Sequence, residues 1–115
     1  MIRISDYAVG VQTGVTLIFS DYEDDGPMWS GHGPRHVIQH VTFDTPFVEE
    51  PAVHLSLSMW DVDNAAVNRV DLRVDDIGLS GFSLKFSTWG DTRVARARAS
   101  WMAIGSVPHP DNFVD

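Results

Sequence analysis

The chain has 115 residues, 43% of them hydrophobic and 21% charged, with 16 acidic side chains against 8 basic ones and no cysteine. That length fits one domain able to bury about two-thirds of the surface its unfolded form exposes, which makes a disordered chain a poor description. A net charge of -8 repels phosphate backbones and anionic membranes, so nucleic acid is not an expected partner, and the missing cysteines exclude disulfides, thiol nucleophiles and zinc–thiolate sites.

Residues 1–6 lack the apolar run and small-residue cleavage site of a signal peptide, and no stretch reaches the roughly 18 apolar residues of a membrane span. Residues 8–19 read as a first strand, with Gly10 and Gly14 as bulge points. Asp24-Asp25-Gly26-Pro27 and Gly31-His32-Gly33-Pro34 then break the chain. Val37, Val41 and Phe43 suggest a second strand. Thr45-Pro46 and Glu50-Pro51 lead into a third, where Val53, Leu55, Leu57 and Met59 alternate with His54, Ser56, Ser58 and Trp60. Val70, Leu72 and Val74 alternate with Arg69, Asp71, Arg73 and Asp75. Asp75-Asp76-Ile77-Gly78 with Ser80-Gly81 marks a hairpin connection. Phe82, Leu84 and Phe86 alternate with Ser83, Lys85 and Ser87, and Trp89-Gly90-Asp91-Thr92 forms a tight turn. The last strand sets Ala95, Ala97, Ala99, Trp101 and Ala103 inward against Arg96, Arg98 and Ser100. Short strands at this spacing predict an all-β sandwich or barrel, one domain with its core over about 8–105 and a loose tail over 108–115.

His32, His36 and His40 recur every fourth residue, which on a helix would make a metal-binding stripe. The flanking Val37 and Val41 argue instead for a strand, with His36 and His40 apart on its outward face, and no metal is expected. Asp21-x-Glu23-x-Asp25-Gly26 is half of a calcium loop; its twelfth position is His32 rather than Glu, so a solvated acidic loop is the expectation, with weak calcium binding left open. Asp71 and Asp75 are expected to pair with Arg73 on a solvated face. Trp101 has inward parity, Trp29 lies in a glycine-rich loop, and Trp89 has outward parity just before a turn. An exposed aromatic at a strand end stacks on the apolar face of a pyranose, or else serves as an oligomer contact.

A resemblance follows from residues in order: Val11-Gln12-Thr13-Gly14, Val41-Thr42-Phe43-Asp44-Thr45-Pro46-Phe47, Pro51-Ala52-Val53, Leu55-Ser56-Leu57 with Asp61-Val62, Asn68-Arg69-Val70, Gly81-Phe82, Thr88-Trp89 and Ser100-Trp101. Together they resemble the H-type lectin domain, the family of snail agglutinins and of the C-terminal domain of discoidins. The resemblance implies a six-stranded antiparallel β-sandwich assembling as a homotrimer, or as a homohexamer of two trimers back to back. It implies sugar sites between protomers for N-acetylgalactosamine or galactose, with no metal, no cofactor and no catalysis. Arg69 matches the family's sugar-binding arginine and Trp89 the aromatic beside the sugar. His32 replaces a sugar-binding aspartate, Ser30 a nearby glycine, Gly90 a histidine, Ala95 a tyrosine and Phe86 a cysteine, which implies an altered specificity.

The expected function is therefore a multivalent carbohydrate-binding lectin in cell adhesion, at an extracellular or particle surface, with Arg69, Trp89, His32, Ser30 and Gly90 as sugar-binding residues. Presenting several weak sites on one assembly raises apparent affinity by about 10²–10⁴. The alternatives are a structural or adhesin module, such as a spike or fibre component of a bacterial or phage-like assembly, and a glycoside-active enzyme. The last needs two carboxylates about 5–10 Å apart across a cleft.

Overall fold

The computed structural model describes residues 1–4 and 8–108, so the tail expected over 108–115 lies almost entirely outside the described residues. Six strands and one short helix follow in chain order: β1 (Ala8–Ser20), α1 (Pro27–Ser30), β2 (Arg35–Thr42), β3 (Ala52–Val62), β4 (Val70–Asp75), β5 (Gly81–Thr88) and β6 (Val94–Val107). They form two three-stranded sheets, β1-β6-β3 and β2-β5-β4, with every neighbouring pair antiparallel. This is the six-stranded antiparallel sandwich that the resemblance implied, and one of the two architectures, sandwich or barrel, that the alternation predicted.

The core is built from unequal partners. The middle strand of one sheet, β5, buries Phe82, Leu84 and Phe86, while the middle strand of the other, β6, buries Ala95, Ala97, Ala99 and Ala103. Small side chains on one middle strand leave room for bulky ones on the other, so the two rows pack into one shared interior. Phe19 from β1 meets Phe86 edge-on, with ring centres 5.2 Å apart. Trp101 holds the other end, its indole 5.8 Å from Phe43 and 5.5 Å from Phe82. It has the inward parity expected of it but is only half-buried, because it also lines a groove between β1 and β2.

The two glycines of β1 serve a purpose other than the expected one. The pairing with β6 runs unbroken through Gly10 and Gly14 and shifts only between Leu17 and Phe19. That bulge turns two consecutive residues, Ile18 and Phe19, into the core. Gly14 is glycine because the indole lies on its backbone: a Cβ there would stand 2.5 Å from Cζ2 of Trp101. At Gly10 a Cβ would stand 2.5 Å from a methyl of Val107. Two further register shifts, at Leu57/Met59 and Asp61/Val62, bend β3.

The faces also follow the alternation. His36 and His40 stand exposed on the outer face of β2, and the loop between β4 and β5 closes a hairpin. Arg73 pairs with Asp71 at 2.8 Å, whereas Asp75 turns its carboxylate to the backbone N–H of Asp76 instead of to Arg73. We expect Gly14→Val to force the Trp101 indole out of its packing and to cost about 1–3 kcal/mol, read as a lowered urea midpoint.

Candidate functional site

At one end of the sandwich three loops meet: residues 21–34 between β1 and β2, 63–69 between β3 and β4, and 89–93 between β5 and β6. Their backbones carry many polar groups that no strand satisfies, and side chains from the strand ends supply the partners. Arg35, the first residue of β2, does most of this. Its Nε donates to the Gly33 carbonyl at 2.8 Å, its Nη1 to the carbonyls of Pro27 and Met28 at 3.2 and 3.3 Å, and its Nη2 to those of Gly90 and Thr92 at 3.3 and 2.8 Å. The fixed fork of a guanidinium suits such a ring of carbonyls. Burial lowers its pKa below the ordinary arginine value, yet the group stays charged at any physiological pH.

Two further residues complete the stitching. Thr92 is fully buried; its hydroxyl donates to the Val67 carbonyl and accepts from the Arg69 N–H. Arg93 donates to the Trp29 carbonyl at 2.9 Å, pairs with Asp63 at 3.0 Å, and lies over the Trp29 ring 4.1 Å from its centre. Tyr22 packs against the same indole, edge-on. The Trp29 ring is therefore partly covered by protein, with Arg93 over it and Tyr22 against it.

On this base sit the residues singled out in the sequence. Val70 pairs with Thr88, so Arg69 and Trp89 are the next residues outward on neighbouring strands. Thr88 donates its hydroxyl to the Arg69 carbonyl, which fixes that step. Trp89 is exposed, at 44%. The Arg69 guanidinium pairs with Asp91 at 2.7 Å and lies over Gly90, where a Cβ would stand 3.2 Å from its Nη1. Gly90 also has φ +69, a left-handed backbone that favours glycine. The absence of a side chain at position 90 thus leaves the space that Arg69 occupies.

The loop carrying His32 is tied to this corner, since the Gly33 N–H donates to the Gly90 carbonyl at 2.9 Å. His32 itself is exposed. Ser30 ends α1 with its hydroxyl donated to the carbonyls of Asp25 and Gly26, at 2.7 and 3.0 Å. Ala95 is buried on β6, so no side chain at that position reaches the surface. Arg69, Trp89 and Gly90 therefore stand together with the His32 loop alongside, while the Ser30 hydroxyl is spent on its own helix turn. Asp21, the first ligand position of the half calcium loop, accepts the Met28 N–H at 3.0 Å. Among the described residues no three His, Asp or Glu side chains cluster as a metal site. No helix among them is long and apolar enough to cross a membrane.

The sequence profile of the H-type lectin domain matches residues 38–104, more than half of the chain. The chain belongs to the H-type lectin domain family. It is 51% identical over 106 residues to a Fuscovulum blasticum protein named ATP synthase subunits region ORF 7, covering 92% of each. It is 30% identical over 105 residues to a discoidin-1 chain of Dictyostelium discoideum, of which it spans 42%. Among solved structures it superposes on discoidin II of Dictyostelium discoideum with a TM-score of 0.75 at 25% identity, over 92% of this chain and 41% of that one. This H-type lectin fold supports a carbohydrate-binding role of the lectin type.

Arg35 and Thr92 were not found by sequence reasoning. The available signal was an arginine at the start of a strand, directly after a Gly-x-Gly-Pro loop. Arg35→Lys replaces a five-donor fork by a single ammonium and leaves carbonyls unpaired. The expected result is a loss of about 1–3 kcal/mol in unfolding free energy, with faster amide exchange in residues 31–34 and 89–93 by hydrogen-exchange mass spectrometry.

Proposed function

We propose that this H-type lectin is a multivalent carbohydrate-binding protein that seats a pyranose against the Trp89 indole. The observation that carries the reading is the exposed Trp89 ring beside Arg69 on a corner whose backbone is held from below by Arg35. An exposed indole offers a flat apolar face to a sugar's C–H groups, and a neighbouring guanidinium offers fixed donors to its hydroxyls. His32 reaches the same corner on the loop tied to Gly90 and is assigned a share of the polar contacts; Gly90 supplies open approach, and Ser30 shapes the turn behind the loop. The protein acts by binding and catalyses no step. The pocket residues differ from those of the snail agglutinins, so galactose or N-acetylgalactosamine need not be the preferred sugar.

Multivalency is assigned to the opposite side of the molecule. The outer face of the β1-β6-β3 sheet exposes Val9, Val11, Val15 and Leu17 from β1 and Met102 from β6. Val15 is 64% exposed. The aliphatic row of β1, interrupted only by Thr13, is the kind of exposed surface that neighbouring copies of the same chain cover in an oligomer. We assign a homotrimer, or two such trimers back to back, as the assembly. The spike or fibre reading draws on the same apolar face and differs in one respect: its intact oligomer binds no glycan.

On a glycan array, Trp89→Ala is expected to weaken binding to every bound glycan by about tenfold or more while circular dichroism stays that of the parent. Unchanged binding would remove Trp89 from the site. Light scattering after size exclusion is expected to show an oligomer for the parent and a monomer for Val15→Asp; a parent that runs as a monomer would refute the assembly.

A further inference from the structure

The outer face of the β2-β5-β4 sheet next to Trp89 carries charge in an arrangement that neutral sugars do not require. A shallow cavity of about 400 Å³ lies there, lined by Val70, Asp71, Arg73, Lys85, Ser87 and Trp89. Lys85 is the chain's only lysine. It is half-buried on the middle strand, and in the ladder it stands directly opposite Arg73 on one side and Ile38 on the other. Two cations facing each other across a pair of strands repel. Asp71 answers Arg73 at 2.8 Å, and Asp91 answers Arg69 at 2.7 Å. Lys85 forms no ion pair among the described residues. The cavity thus holds two cations and one carboxylate on a chain whose net charge is -8.

Lys85 and Ser87 share the outer face of β5, because side chains two residues apart point the same way, and Trp89, the residue just past the end of the strand, lines the same cavity. The Cα atoms of Lys85 and Trp89 are then about 13 Å apart, at roughly 3.3 Å per residue. That span fits a ring stacked on the indole with an anionic group, on that ring or the next, meeting the ammonium on its flexible stem. We propose that the ligand is an acidic saccharide whose carboxylate or sulfate is neutralised by Lys85, with Ser87 as an intermediate donor and Arg73 adding to the local positive potential. The inference rests on the assignment of Trp89 as the stacking residue and adds the charge class of the ligand.

The test is a glycan array in which the same oligosaccharide backbones appear neutral, carboxylated and sulfated, probed with the parent oligomer and with Trp89→Ala, Lys85→Met and Arg3→Met. One partly exposed ion pair is worth about three- to fivefold. The parent is expected to prefer acidic over neutral partners of one backbone by that factor at low salt. The preference shrinks as ionic strength rises, because surface charges are screened over about 8 Å at 0.15 M. Lys85→Met is expected to bring the ratio to about one, whereas Arg3→Met, which removes the same charge outside the cavity, keeps it. Whether carboxylated or sulfated backbones bind more strongly identifies the source of the anion. A parent whose Trp89-dependent binding shows no acidic preference, or whose preference survives Lys85→Met, overturns the charge assignment and leaves the stacking site standing. Binding that ignores Trp89→Ala, or no glycan binding by the parent, overturns both.

Discussion

The corner that carries Trp89 depends on one partly buried guanidinium. Arg35 begins β2 and points its donors into a ring of five backbone carbonyls drawn from residues 27, 28, 33, 90 and 92. Loops of this kind otherwise leave peptide groups to water and keep several arrangements open. A single planar cation satisfies many of these groups at once and fixes the distance between the loop before β2 and the turn after β5. The Gly33–Gly90 hydrogen bond, the position of Gly90 under Arg69, and the outward Trp89 all build on that distance.

The framework beneath divides its work between two sheets. Bulky side chains on β5 and small ones on β6 let the middle strands share one filled interior. That leaves the outer faces free to differ. The β2-β5-β4 face carries histidines, serines and opposed charges, and the β1-β6-β3 face carries an exposed aliphatic row. A polar face beside an open aromatic suits a hydrated ligand, and an aliphatic face suits a copy of the same chain. The exposed indole and the aliphatic row thus belong to different sheets of one small sandwich.

Small residues at positions 90 and 95 shape this corner. With glycine at position 90, the backbone adopts a left-handed turn and the Arg69 guanidinium settles over it, held by Asp91. With alanine at position 95, the β6 strand keeps its small inward row and presents nothing to the surface.

Much of this could be read directly from the residues. Period-two alternation is a local consequence of strand geometry, so the faces of Trp89, His36 and His40 and the inward alanines of β6 followed from near neighbours along the chain. The family followed from short segments in the right order. What alternation cannot express is contact between residues far apart in the chain. Gly10 and Gly14 looked like bulge points because a missing side chain serves either a bulge or a close approach, and only the Trp101 indole and the Val107 methyl lying against them decide which. Arg35 left no local mark, because its partners include a carbonyl 57 residues away that the fold brings to 2.8 Å. Strands, faces and family are thus legible in local order, because each rests on residues a few positions apart. Which loops meet at the Trp89 corner, and which cations there lack a carboxylate, depends on how the two sheets pack, and no local pattern records that packing.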